Sequence, residues 1–306
     1  MIASVTTDLL VQHGGRLSVA RSLYADAPQP WIDLSTGINP NPYPAPRAST
    51  LARARLPEPW ELRALETAAA CAFGVGDPAR VAAASGSEPA LRLLPQVLPS
   101  AVEATIVWPH NPDGTLTGRG RLLAAHDRIA ALGGFLVVDE AFADVEGSCS
   151  VAAVAGSERY PRLVVLRSFG KFYGLAGIRL GFVIAAPQIV TRIRASFGDW
   201  PVSADAIAAG LAAYADTGWA ENTRVRLRNA ARKLDALLMR NDLSVVGGTS
   251  LFRLARSAIA RARFEQLLRA GILVRPFGHD TTLLRFGLPH GAAAWRRLRD
   301  ALKERL

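Results

Sequence analysis

The chain is predicted to be an α/β protein with a mostly parallel central sheet covered by helices, plus a small α+β lobe. Three apolar runs of strand length, residues 135–139, 163–167 and 181–185, are separated by loops or helical segments. That alternation is typical of parallel strands buried on both faces. From about Leu243 the pattern changes to short strands and helices, which predicts the small lobe.

The first half of the chain predicts an extended arm followed by alternating elements. Residues 28–60 contain eight prolines and read as the arm. The residues after it have the periodicity or the apolar character of regular elements. We predict helices at 60–73, 88–97 and 119–132, the last closed by a glycine pair, and a strand at 104–108.

The second half predicts two long helices and then the small lobe. The helices cover 203–215 and 219–240, and the lobe contains strands at 251–254, 272–276 and 282–286, a helix at 259–270 and a final helix. The predicted organisation is an N-terminal arm (1–46) that completes the small lobe, a large domain (47–240) and a small C-terminal domain (241–306).

Length and composition exclude several classes of protein. The chain has 306 residues, half of them hydrophobic, which suffices for a substantial core. Its apolar runs are far too short for a membrane span. The N-terminus lacks the features of a signal peptide, so we expect a cytoplasmic protein. Cys71 and Cys149 provide neither a disulfide framework nor metal spacing, so no metal is expected.

The net charge of +10 makes nucleic acid the first partner to consider. However, the arginines are scattered through helical segments, as at Arg224, Arg226 and Arg228, where they alternate with core positions. No recognised nucleic-acid-binding motif accompanies them. We therefore expect no nucleic-acid partner, and we interpret the basic character as suited to a small anionic substrate.

Residues 166–181 contain the most informative motif, a lysine placed just after an apolar run. Lys171 is a candidate Schiff-base former, and the Ser168 hydroxyl and the Arg179 guanidinium suit a phosphate. A surface lysine in a glycine-rich loop is the alternative for an isolated motif. Two further motifs favour the chemical interpretation.

Those motifs are a phosphate-type turn and a carboxylate at a strand end. Backbone N–H groups of Gly86, Ser87 and Glu88 precede or open a predicted helix, where they would meet an anion, although ordinary helix capping is also possible. Asp139 ends a buried strand, and a buried carboxylate requires a cationic partner. Helix capping is the alternative for Asp139.

Taken together, these motifs resemble fold-type I pyridoxal-phosphate (PLP) enzymes. The resemblance runs over nearly the whole chain and is strongest to the L-threonine-O-3-phosphate decarboxylases of cobalamin biosynthesis, relatives of the histidinol-phosphate aminotransferases. It is carried by residues 13–15, 33–40, 55–59, 85–88, 139–142 and 168–171.

The resemblance implies a role for each motif residue, and a homodimer whose interface builds the site. Lys171 would bind PLP covalently, Asp139 would face the pyridine nitrogen, and the 86–88 turn with Ser168 and Arg179 would hold the phosphate. The resemblance further assigns Asn111 to the ring hydroxyl, His13 and Asn39 to the substrate phosphate, and Arg285 to the substrate carboxylate. For Asn111 an Asn-Pro turn is the alternative, and for Arg285 a salt bridge within the lobe.

Two reactions are compatible with such a site. The resemblance implies decarboxylation of L-threonine O-3-phosphate to 1-amino-2-propanol O-phosphate, in which the Cα–carboxylate bond breaks. If the Cα–H bond broke instead, the protein would be an aminotransferase of the histidinol-phosphate type. Phe142 and Leu56 stand where the aminotransferases usually carry tyrosine, which favours the decarboxylase.

One segment departs from the family pattern. Asn111 is 24 positions after Ser87, several dozen fewer than usual, so one βα unit is expected to be missing near residues 98–108. The aromatic residue that normally stacks on the PLP ring would be lost with it; Trp108 and His110 are candidate replacements. The departure motivates a third hypothesis, a shortened, inactive protein of the PLP fold that acts as a partner or scaffold.

Overall fold

The structure is a computed structural model that describes residue 10 and residues 14–99, 104–107, 114 and 116–304. Most of the predicted elements are confirmed within these residues. The helices are α1 Leu17–Leu23, α2 Thr50–Arg53, α3 Pro59–Phe73, α4 Ser87–Val97, α5 Arg119–Ala131, α6 Phe169–Phe172, α7 Pro187–Phe197, α8 Ala204–Ala215, α9 Thr217–Met239, α10 Ala260–Arg269 and α11 Gly291–Lys303. The strands are β1 Ile32–Asp33, β2 Val81–Ala84, β3 Ala104–Val107, β4 Phe135–Asp139, β5 Leu163–Ser168, β6 Gly181–Ile184, β7 Ser244–Thr249, β8 Phe252–Arg256, β9 Ile272–Leu273, β10 Arg275–Pro276 and β11 Leu283–Gly287.

Local sequence explains why α3 begins and ends where it does. Glu58 and Glu61 form a reciprocal capping box, Pro59 occupies the first helical position, and Gly74 closes the helix in the left-handed conformation. The buried Glu66 of α3 accepts a hydrogen bond from the backbone N–H of Ala83 at 3.0 Å. The helix is thereby attached to β2, a strand that ends at the candidate site.

The central sheet has five strands in the order β2-β6-β5-β4-β3. Strands β3, β4 and β5 are parallel, while β6 runs antiparallel to both of its neighbours, β2 and β5. Helices α4 and α7 contribute to the apolar core on one face of this sheet. The predicted fold class is confirmed, and the carboxyl ends of β2, β4 and β5 lie at the same edge.

Strand β3 lies at the edge of the sheet. Among the described residues it pairs with β4 alone, and Ala104, Thr105 and Ile106 are exposed. The strand follows α4 after a short connection, as expected if a βα unit is missing there. An uncovered parallel edge is unusual, because α/β sheets normally bury both faces of every strand.

The small lobe differs from its prediction in two places. Residues 272–276 were predicted as one strand, but β9 pairs in parallel with β1 of the arm, and β10 pairs with β11 in a separate antiparallel sheet. Strand β7 was not predicted. It contains Gly247 and Gly248, and its register with β8 is irregular between Val245 and Gly247.

Contacts divide the chain into two compact units. The smaller unit contains Met1–Asn41, Asp113–Thr115 and Thr223–Leu306, and the larger unit contains Pro42–Pro112 and Leu116–Asn222. The domain boundaries expected near residues 46 and 240 stay a prediction. No helix in the described part of the chain has both the length and the apolarity needed to cross a membrane.

Candidate active site

The phosphate-type turn lies where β2 meets the first turn of α4. Gly86 is the N-cap residue of α4 and has a φ of 113°, a backbone conformation that residues other than glycine rarely adopt. Pairing of β2 with β6, and of β6 with β5, places Ala84 and Ser168 on either side of Gly181. The turn and Ser168, two of the predicted phosphate ligands, therefore share one edge of the sheet.

Arg179 lies beside this turn. Its Nη2 atom is 3.4 Å from the carbonyl oxygen of Ser85, and a Cβ added to Gly86 would lie 2.7 Å from the same Nη2 atom. Arg179 itself has a φ of 61°, in the left-handed region. The side chain of Glu88 turns away to pair with Arg92 at 2.7 Å, so its predicted contribution is limited to the backbone N–H.

Gly181 allows β6 to pass close to the start of α4. A Cβ at this position would lie 2.5 Å from the backbone nitrogen of Ser87 and 2.7 Å from the carbonyl carbon of Gly86. Both contacts are with backbone, which cannot rotate away as a side chain could. A side chain at position 181 must therefore displace the turn that is predicted to hold the phosphate.

We expect Gly181→Ala to lower the free energy of unfolding by about 1–3 kcal/mol, the usual cost of overpacking, and to weaken PLP binding. Gly177→Ala, four residues earlier, is the matched control, because a Cβ there meets no atom within 4 Å. Thermal unfolding and titration with PLP measure the two effects. Equal behaviour of the two variants would contradict the role given to Gly181.

Lys171 lies on α6, the short helix that follows β5. Its neighbours Phe169, Gly170 and Phe172 are buried, whereas Lys171 is half-buried. The Nζ atom lies 5.9 Å from the centroid of the Phe142 ring. Phe142 is 4% exposed, so the lysine faces a buried apolar ring. A tyrosine at position 142 would add a hydroxyl group there.

Asp139 ends β4, the strand beside β5. It pairs in register with Leu166, and its Oδ1 atom accepts a hydrogen bond from the N–H of Ala141 at 3.1 Å. Asp139 and Lys171 therefore follow the carboxyl ends of two adjacent parallel strands. This is the edge at which ligands bind in open α/β sheets.

A buried charge cluster lies next to Asp139 and was not predicted from the sequence. Arg167 of β5 pairs with Glu140 at 3.1 Å and also with Asp144. Burial acts to lower the pKa of Arg167, but the charges of Asp144 and Glu140 outweigh it and raise that pKa. Two features of the sequence could have indicated this cluster. Arg167 is a charged residue at the end of an apolar run, and Glu140 and Asp144 are two carboxylates four residues apart.

The other unit contains Arg285, on β11. Arg285 is 5% exposed, donates to the carbonyl oxygen of Ser35 at 3.1 Å, and lies 4.8 Å from the centroid of the Phe252 ring. Its partner across the β10–β11 ladder is Arg275. Burial, followed by the charge of Arg275, lowers the pKa of Arg285 to about 9.

Arg275 was missed by the sequence analysis. Burial lowers the pKa of this guanidinium too. The two guanidinium groups, one buried and one half-buried, repel each other, and an anion bound beside them would offset that repulsion. The pair is therefore suited to bind an anionic ligand, and its sequence signal, two arginines ten residues apart, is informative only once the hairpin register is known.

The remaining predicted ligands are placed as follows. Asn39 is buried, and its Oδ1 atom accepts the N–H of Asn41 at 2.9 Å. His13 and Asn111 lie outside the described residues, as do the candidate stacking residues Trp108 and His110. Within the described ranges, no group of three or more His, Cys, Asp or Glu side chains is arranged to hold a metal ion.

The residues of the larger unit fit PLP. The glycine at 86 leaves room at the start of α4, where backbone N–H groups and the Arg179 guanidinium can meet a phosphate. An amine at Lys171 and a carboxylate at Asp139 follow neighbouring strands. This combination matches an anionic cofactor that has an aldehyde at one end and a basic ring nitrogen at the other.

Comparison with known proteins shows the family of this chain. The family model for aminotransferase class I and II matches residues 104–302. The chain belongs to the class I and II aminotransferase family. As a member of this family, it is 34% identical to the threonine-phosphate decarboxylase of Pseudomonas aeruginosa, over 96% of this chain and 97% of that protein.

The chain is also similar to histidinol-phosphate aminotransferases, in sequence over part of its length and in fold over nearly all of it. The chain is 35% identical to the histidinol-phosphate aminotransferase of Symbiobacterium thermophilum, but over 59% of this chain and 48% of that protein. A crystal structure of histidinol-phosphate aminotransferase from Sinorhizobium meliloti in complex with PLP superimposes with a TM-score of 0.79. It covers 93% of each chain at 17% identity, which shows the shared fold.

The comparison with the decarboxylase also bears on the short segment. Its alignment spans 331 positions, more than the 306 residues of this chain. The relative therefore contains residues that this chain lacks, in agreement with the shortening expected from the sequence.

Proposed function

We propose that this protein decarboxylates L-threonine O-3-phosphate to 1-amino-2-propanol O-phosphate with PLP as its cofactor, as a step of cobalamin biosynthesis. The observation that carries the proposal is the placement of Asp139 and Lys171 after adjacent parallel strands, beside the glycine-lined turn at the start of α4. The similarity to a threonine-phosphate decarboxylase over nearly the full length of both chains supports the choice of substrate.

The chain's own residues would divide the work of holding the cofactor. The N–H groups of residues 86–88 would bind the phosphate together with Ser168 and Arg179, and Lys171 would hold the aldehyde carbon covalently. Asp139 would keep a proton on the pyridine nitrogen, because a carboxylate beside that atom favours its charged form. PLP, when bound, supplies an electron-withdrawing ring that stabilises the electron pair left at Cα.

Substrate orientation decides which bond at Cα breaks. We propose that Arg285 binds the substrate carboxylate through a bidentate hydrogen bond, and that His13 and Asn39 bind the substrate phosphate. The half-buried Arg275 is the register partner of Arg285, so the smaller unit has two positive charges for a substrate that carries two anionic groups. Once the substrate amine takes the place of Lys171 on the cofactor, the released Nζ amine would deliver a proton to Cα in place of the departing CO₂.

Amino transfer is the second candidate, since the same residues hold the same cofactor in both reactions. Phe142 favours decarboxylation, because its buried ring leaves no hydroxyl beside the Lys171 amine. An inactive scaffold is disfavoured, since the described residues of the site keep their lysine, carboxylate and phosphate-binding turn.

The deciding experiment measures CO₂ release from purified protein supplied with PLP. We expect release from L-threonine O-3-phosphate and little from free L-threonine, which lacks the phosphate. Oxo-acid-dependent amino transfer without CO₂ would move the function to the aminotransferase. Absence of both turnover and PLP uptake would instead support the scaffold.

We also propose a homodimer, because the resemblance implies that the site is built at a subunit interface. Light scattering tests this, and a PLP-loaded monomer would contradict it. A cytoplasmic location stays a prediction, to be checked by cell fractionation.

A further inference from the structure

Arg167 connects β5, the strand that leads into the Lys171 helix, to the turn that follows Asp139. It lies on β5, one residue after Leu166, the register partner of Asp139. Its guanidinium pairs with Glu140 at 3.1 Å and with Asp144. Both carboxylates belong to the turn that leaves β4 directly after Asp139. The contact therefore joins two segments that are 23 to 27 residues apart in the chain.

The cluster around Arg167 is buried and highly connected. The side chains of Arg167, Glu140 and Asp144 are 6%, 2% and 10% exposed. Glu140 also accepts the N–H of Val151 and the hydroxyl of Ser150, each at 2.6 Å. A buried carboxylate with this many donors has little freedom to move. Arg167 is further held 4.4 Å from the centroid of the Phe73 ring.

The turn between the two carboxylates carries groups that face the cofactor site. Glu140 and Asp144 bracket it, and Phe142, whose ring lies 5.9 Å from Lys171 Nζ, is between them. Asp139 precedes the turn and is oriented by its hydrogen bond from Ala141. A shift of the turn must therefore move Phe142 and alter the support of the Asp139 carboxylate.

We propose that Arg167 is a positioning residue, which holds the Asp139–Asp144 turn in register with β5 and so fixes the Asp139 carboxylate and the Phe142 ring relative to Lys171. The inference rests on the proposed function, because Asp139 and Lys171 matter here as PLP ligands. Arg167 acts through Glu140 and Asp144 and needs no contact with the cofactor. A purely structural ion pair would stabilise the fold without affecting the cofactor.

The test compares Arg167→Lys with Arg194→Lys. Lysine keeps the charge but cannot bridge two carboxylates with one planar fork. Arg194 is the matched control, since it also pairs with a buried carboxylate, Glu66 at 2.7 Å, and contacts the carbonyl oxygen of Val81 at 2.8 Å, on β2. For both variants we measure the dissociation constant of PLP, the pH midpoint of the bound cofactor's absorbance change, and the unfolding midpoint without PLP.

We expect Arg167→Lys to bind PLP about tenfold more weakly, in line with the cost of small misplacements in active sites, and to shift the pH midpoint. Arg194→Lys should lower the unfolding midpoint alone. If Arg167→Lys fails to fold, Asp144→Asn is tested instead, because it removes the charge of one of the two carboxylates that Arg167 contacts. It should change the dissociation constant of PLP and the pH midpoint in the same direction as expected for Arg167→Lys, but by a smaller amount.

Two results would overturn the proposal, and they are distinguishable. In the first, the parent protein binds PLP, but Arg167→Lys shows the same two cofactor readouts as the Arg194→Lys control. Arg167 is then structural only. The same conclusion follows from Asp144→Asn if that variant has to be used instead. If the parent protein does not bind PLP at all, the proposed function fails and this inference fails with it.

Discussion

Replacement of Lys171 by alanine is expected to reduce CO₂ release from L-threonine O-3-phosphate by at least about 1,000-fold, because the variant loses both the covalent attachment point and the proton donor. The turn at Gly86 and Ser87, which we propose binds the phosphate, is untouched, so PLP should still bind without a covalent bond. The loss should therefore appear in turnover far more than in cofactor content.

The chain makes this experiment unusually sharp, because it contains three lysines, Lys171, Lys233 and Lys303. Borohydride reduction followed by peptide mass mapping should find PLP on Lys171 in the parent protein and on no lysine in Lys171→Ala. Lys233→Ala is the control: Lys233 lies 4.4 Å from the centroid of the Trp295 ring, in the other unit. A reducible adduct that persists in Lys171→Ala would refute the assignment.

Replacement of Arg285 by methionine is expected to affect activity and stability in opposite directions. The KM for L-threonine O-3-phosphate should rise about 100-fold, since truncating one partner of a buried charge pair costs about 2–5 kcal/mol. The unfolding midpoint of the ligand-free protein should stay the same or rise. The reason is that Arg285 carries a buried charge beside Arg275.

The pKa of Arg285 determines the sign of this stability effect. Burial, followed by the charge of Arg275, lowers that pKa to about 9. At neutral pH both the folded and the unfolded chain carry the charge, so the full cost of burying it is present. The cost is relieved as pH rises above about 9, because the unfolded chain then binds more protons than the folded one. Methionine removes the cost at every pH.

Arg253→Met is the matched control on the neighbouring strand β8. Arg253 pairs with Asp235 through two contacts at 2.6 and 2.9 Å, so its loss should lower the unfolding midpoint and leave the KM unchanged. If the arginine pair binds anions, inorganic phosphate should raise the unfolding midpoint of the parent protein more than it raises that of the Arg285→Met variant. An unchanged KM in Arg285→Met would remove Arg285 from the site.

Much of the site could be predicted from the sequence because its parts lie in short, continuous motifs. Ser168, Lys171 and Arg179 occur within one segment, and Asp139 ends an apolar run that is recognisable as a buried strand. Strand–turn–helix motifs of this kind are local, so the order of residues along the chain indicates which groups follow which strand. The same holds for the fold class, since the spacing of apolar runs distinguishes strands from helices.

The tertiary structure decided what depends on contacts between distant segments. Arg275 lies opposite Arg285 because of the β10–β11 register, and Gly181 must be glycine because β6 passes the start of α4. The sequence predicts a strand at 104–108 but not its exposure: three residues of β3 are exposed, since the structure places it at the edge of the sheet. Burial, register and charge pairing arise between segments far apart in the chain, and local sequence patterns do not encode them.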